Sequence, residues 1–61
     1  MLHTYLQQLQ ETAESTGWEL REACIDSGVS DTTFYRWQNG TTHPREKQAS
    51  VVMNYMLTYA R

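Results

Sequence analysis

Apolar residues in this 61-residue chain recur at steps of three and four, in short runs cut by Gly17, Gly28 and the Asn39-Gly40 pair. That spacing is the signature of helices with one buried face, and glycine after such a run supplies the left-handed residue that ends a helix. Nothing alternates with the two-residue period of a strand. The chain is therefore expected to be all-α, a small bundle of four helices, with a fifth allowed for.

The first helix is expected over about 3–15, with Leu2, Leu6, Leu9 and Ala13 along its inner stripe. A second runs over about 18–27, with Leu20, Ala23 and Cys24 inward and Gly28 as its stop. Val29 then turns inward. Ser30 is placed to cap a third helix over about 31–39, because its hydroxyl can accept from the backbone of Thr32 or Thr33. Phe34 and Trp37, three apart, form that helix's buried side. Pro44 suits the first turn of a fourth helix over about 44–59. Its inner stripe is Ala49, Val52, Met53, Met56 and Ala60, and a second row comprises Val51, Tyr55 and Tyr59.

Sixty-one residues make one domain at most, and a chain this short buries only about 60% of its unfolded surface. Cys24 is the lone cysteine, so no internal disulfide can staple the fold, and a reducing compartment is expected. Self-association is a natural source of further stability. No stretch approaches the roughly 20 apolar residues of a membrane span, and the N-terminus lacks the pattern of a signal peptide. A cytoplasmic protein with no membrane partner is expected.

The formal charge is −2, yet it is unevenly spread. Residues 1–30 carry Glu11, Glu14, Glu19, Glu22 and Asp26 against Arg21. Residues 31–61 carry Asp31 and Glu46 against Arg36, Arg45, Lys47 and Arg61. Binding a polyanion requires a local basic face rather than a basic total.

Helix, glycine turn, apolar residue, polar cap and a second short helix, in the stretch ELREACIDSGVSDTTFYRWQNG from Glu19 to Gly40, is the plan of a helix-turn-helix. Two short helices joined this way cannot close a core alone. They pack on flanking helices and leave one polar face protruding, of a size to enter a DNA major groove about 12 Å wide.

This stretch resembles the Cro and repressor-type helix-turn-helix domains of phages and bacteria. The resemblance rests on Leu20, Cys24 (where that family usually has alanine), Gly28, Val29, Ser30, Phe34, Trp37, Asn39, Gly40 and Pro44, and covers about 18–57. "FYRWQNG" followed by a proline is its most specific part. It implies that Thr32, Thr33 and Arg36 face base edges, with Asp31 at the start of the reading helix and Tyr35 on its outer flank. It also implies that Asn39, Thr41, Thr42 and His43 meet phosphate oxygens, and it places the start of the second helix near a phosphate. The chain departs from the family at Glu19 and Arg21, where glutamine or serine is common. A glutamate repels phosphate, so Arg21 is the expected contact there. Asp31 is also unusual on such a helix. Its carboxylate either complements the helix dipole or accepts from a cytosine amino group.

Arg36 suits bidentate reading of guanine, and a threonine hydroxyl or methyl suits either base edge or thymine. Arg45 and Lys47, at the start of the fourth helix, are expected at phosphates. The row Val51, Tyr55 and Tyr59 is read as a homodimer surface, in keeping with proteins that bind paired half-sites. Phe34, Trp37 and Cys24 are read as core. His3 and His43 stand forty residues apart with no cysteine pair, which argues against a metal. No nucleophile–base pair, metal cluster or phosphate-binding loop points to an enzyme, and no cofactor or small-molecule ligand is implied. The expected function is a sequence-specific DNA-binding regulator acting as a repressor. The competing reading is a protein-interaction module on the same scaffold, an antirepressor or assembly component, favoured by the acidic first half.

Overall fold

A computed structural model describes residues 4–61. Positions 2 and 3, assigned above to the first helix and the histidine count, lie outside the described residues. All regular structure in the described residues is helical: α1 Tyr5–Thr16, α2 Leu20–Asp26, α3 Asp31–Gln38 and α4 Glu46–Thr58.

Thr4 caps α1, its hydroxyl accepting from the Gln7 amide at 3.1 Å. Leu9, Ala13 and Thr16 are buried along α1, at steps of four and three, as one helical face requires. The helix ends where Gly17 takes φ 78° and the Trp18 amide reaches back to the Ala13 carbonyl at 3.0 Å. A Cβ on Gly17 would stand 3.1 Å from the Arg61 carbonyl oxygen, so both the backbone angle and the space favour glycine there.

The second helix starts later than its apolar pattern suggests. Glu19 is extended, with ψ 124°, and α2 begins at Leu20. Trp18 precedes the extended Glu19 and so stays outside the helix; its amide closes α1 and its ring enters the core at 8% exposure. The turn after α2 is well bonded. Val29 N–H donates to the Cys24 carbonyl at 2.8 Å, and Gly28, at φ 105°, donates to Ile25 at 3.2 Å.

The fourth helix also starts late. Arg45 is extended and its N–H donates to the Gln48 side-chain oxygen at 3.3 Å. Pro44 is therefore buried in the approach to α4 rather than in its first turn. Ala60 is a correction of a different kind. It is exposed and lies beyond the helix, because the backbone departs from helical angles at Tyr59.

The main packing is between α1 and α4, with α2 laid across both and α3 resting chiefly on α2. The core joins Leu9, Ala13, Trp18, Ala23, Cys24, Phe34, Trp37, Ala49, Val52 and Met56. Each large apolar member contributes about 1.5–3 kcal/mol by leaving water. Leu6, Leu20, Val29, Met53 and Tyr55 close its rim. The chain's last residues are bound in as well. Trp18 Nε1–H donates to the Tyr59 carbonyl at 2.9 Å. Arg61 N–H donates to the Thr16 carbonyl at 2.8 Å, and its guanidinium lies 3.9 Å from the centroid of the Trp18 ring.

Candidate functional site

Position along a helix decides what α3 can present. Phe34 and Trp37 face the core, and a rotation of about 100° per residue then puts Thr32, Tyr35, Arg36 and Asn39 on the outward side. All four are exposed, and Tyr35 is the most prominent apolar surface among them at 63%. Arg36, near the C-terminal end of α3, also suits the negative end of the helix dipole.

Ser30 fixes where this face begins. Its Oγ accepts from the Thr33 amide at 3.2 Å and lies 2.8 Å from Thr33 Oγ1. Thr33 is thereby tied into the cap and half-buried. The two threonines, equivalent in the sequence reading, separate here: Thr32 is free on the outer face, and Thr33 serves the helix start.

Asp31 stands on the flank of that outward side, beside Tyr35, with a partner of its own. Arg21 of α2 grips its carboxylate with two parallel bonds, Nε to Oδ1 at 2.9 Å and Nη2 to Oδ2 at 3.1 Å. The hydrogen bond from Arg21 is the main reason that the Asp31 carboxyl lies below its ordinary range, and the same bond raises the Arg21 guanidinium. Both groups stay exposed, so the pair adds geometry more than stability. Arg21, assigned by itself to a phosphate, thus has a carboxylate partner.

Beside this pair runs an open groove of about 340 Å³, lined by Arg21, Asp31, Thr32, Phe34, Tyr35 and Gln38. Gln38, on the outer faces of the helix by its spacing, has no role assigned from the sequence. It stands seven residues from Asp31 and so on the same helix flank, a spacing that could have found it.

The end of α3 is wrapped by its own loop. The amides of Thr41 and Thr42 both donate to the Arg36 carbonyl, at 3.0 and 3.4 Å, and Gly40 donates to Trp37 at 3.2 Å. These amides are spent within the turn. The side chains of Asn39, Thr41, Thr42 and His43 are exposed, as are those of Arg45 and Lys47 beyond them. His43 also lines a second groove of about 260 Å³ with Thr4, Tyr5, Leu6 and Pro44.

The row Val51, Tyr55 and Tyr59, spaced by four, keeps to one flank, but its members differ in burial. Tyr55 is half-buried against Trp18, ring centroids 5.4 Å apart. Burial, and then the charge of Asp26, push its phenol above the ordinary value. Tyr59 packs on Tyr55 at 4.9 Å yet is 60% exposed, and Val51 is 46% exposed. Leu57, not singled out from the sequence, is 61% exposed. It sits about 120° around α4 from Val51 and so lies outside that row.

Among the described residues, no group of three His, Cys, Asp or Glu side chains could hold a metal ion. Cys24 is wholly buried, and that burial pushes its thiol up to about 11. No helix of the described residues is long and apolar enough to cross a membrane. Compared with known proteins, the chain matches no family model, no curated protein and no solved structure.

Proposed function

We propose that this chain is a sequence-specific DNA-binding regulator that reads the major groove of an operator with α3, in the manner of the repressor-type helix-turn-helix domains it resembles. The observation that carries this reading is the outward face of α3. Thr32, Tyr35, Arg36 and Asn39 share that exposed side, on a short helix whose other side is anchored by Phe34 and Trp37. The face holds a guanidinium fork for guanine and a hydroxyl that reads either base edge. Exposed Asn39, Thr41, Thr42, His43, Arg45 and Lys47 follow it along the chain and supply register through phosphates.

In this reading the protein acts in the cytoplasm of a bacterial or phage-infected cell. It acts as a homodimer on paired half-sites about 34 Å apart, and it represses by occupying the operator. Val51 and Tyr59 are the exposed members of the sequence-assigned dimer row.

Fluorescence anisotropy with random and genomic upstream duplexes at two salt concentrations tests the reading. Tight binding to one duplex, weakened by salt and about tenfold or more by Arg36→Ala, is the expected result. Absence of binding at low salt and high protein concentration would overturn it and favour the protein-interaction reading.

A further inference from the structure

We infer that Asp31, held in place by Arg21, is a specificity-determining residue that selects a base presenting an amino group, cytosine first, at one position of each half-site. This inference rests on the DNA-binding reading above and deepens it.

An aspartate at the tip of a DNA-facing helix normally counts against binding, because phosphates repel it. Here the carboxylate is not isolated. Arg21 offers it a fork with both arms engaged, at 2.9 and 3.1 Å, across the ends of two different helices. The local charge of the pair is zero, so the penalty for bringing Asp31 to a duplex is reduced.

The fork also fixes the carboxylate's rotation. Each carboxylate oxygen keeps a further lone pair once Arg21 has donated to it, and the side chain is 60% exposed. A fixed, exposed acceptor beside a groove lined in part by Phe34 and Tyr35 complements a donor. In the major groove, cytosine N4 and adenine N6 offer donors. Guanine offers only acceptors there, and thymine an acceptor and a methyl group. Cytosine is favoured over adenine because adenine N7, next to its amino group, is an acceptor that a carboxylate opposes. Arg21 is then a positioning residue. Its remaining donors are free to take a phosphate, which reconciles its ion pair with the backbone role assigned from the sequence.

The test is selection from a pool of randomised duplexes, followed by competition titrations, with the wild type, Asp31→Asn, Asp31→Ala and Arg21→Ala. Thermal melts by circular dichroism confirm that each variant folds. The wild type should select cytosine at one position by about tenfold. Asp31→Asn should shift that preference to adenine, since an amide can both accept from N6 and donate to N7. Asp31→Ala should erase it, and Arg21→Ala should blunt it several-fold while other positions keep their preference. An unchanged consensus in Asp31→Asn and Asp31→Ala would overturn the inference while leaving DNA binding intact. So would a wild-type preference that does not respond to Arg21→Ala. A wild type that retrieves no duplex at all would overturn the DNA reading itself.

Discussion

Trp18 and Tyr59, forty-one positions apart, are joined by a hydrogen bond from the indole Nε1–H to the peptide carbonyl at 2.9 Å. The same indole packs against Tyr55 and lies under the Arg61 guanidinium, which also reaches Glu22 at 3.2 Å. One side chain in the α1–α2 connection therefore fastens the end of α4 to the rest of the bundle.

Trp18→Phe keeps most of that ring packing and removes the donor. The Tyr59 carbonyl can turn to water, so the loss is expected at about 1 kcal/mol. Trp18→Ala removes the packing too, at about 3–5 kcal/mol. A core this small supplies only a few kcal/mol in all. Urea titrations followed by circular dichroism should show a lowered midpoint for the first variant and no cooperative transition for the second. Equal midpoints for Trp18→Phe and wild type would mean that the bond contributes nothing.

Ser30→Ala strips α3 of its cap and leaves Thr33 Oγ1 without its neighbour. The expected cost is about 1 kcal/mol. Ser30→Asp, another good cap with a charge that suits a helix start, should restore most of it. Chemical denaturation of the pair checks this, and a neutral Ser30→Ala would show that solvent caps α3 as well as the hydroxyl does.

If the proposed DNA reading holds, Arg45 and Lys47 are expected to differ from Arg36 in their salt signature. A phosphate contact releases condensed counterions and carries no sequence information. Each substitution to alanine is expected to reduce the slope of log affinity against log salt by about one, with an unchanged consensus. Arg36→Ala is expected instead to relax one base position. A slope indifferent to both substitutions would remove Arg45 and Lys47 from the interface.

Cys24 sets an alkaline limit on stability. Its thiol in the folded chain is pushed up to about 11 by burial, from an ordinary value near 9. The unfolded chain loses this proton first as pH rises. The contribution is thus complete below about pH 9 and fades as pH climbs towards 11. Tyr55, raised in the same direction, adds to the fall. Cys24→Ala should flatten part of the decline in urea midpoint between pH 8 and 10.5. An identical decline in wild type and variant would assign it wholly to other groups.

The helices were legible because burial follows spacing. Leu9 with Ala13, Ala23 with Cys24, and Ala49 with Val52 and Met56 all lie where steps of one, three and four put them. Ser30 was legible as a cap because a hydroxyl ahead of a short helix has one local use. Four things were not legible. Trp18 reads as the opening of α2, since local pattern does not register that Glu19 is extended and that the indole is drawn to the end of α4. Asp31 and Arg21 are ten residues apart on different helices, so their pairing depends on how α2 and α3 cross. The split between Thr32 and Thr33 follows from one hydroxyl bond, and composition treats the two alike. Tyr55 reads as surplus apolar area because its partner, Trp18, comes from the α1–α2 connection, far away in the sequence.

The complete burial of Cys24 also turns the thiol into a timer. A sulfhydryl reagent cannot reach it while Leu9, Ala23 and Trp37 close around the core. Labelling must wait for the bundle to open, and in the limit of fast reclosing its rate reports the free energy of that opening. The protein thus carries an internal probe of its own cooperativity, read by mass without any added reporter. A duplex that binds only the folded chain would lengthen the labelling time by its degree of saturation.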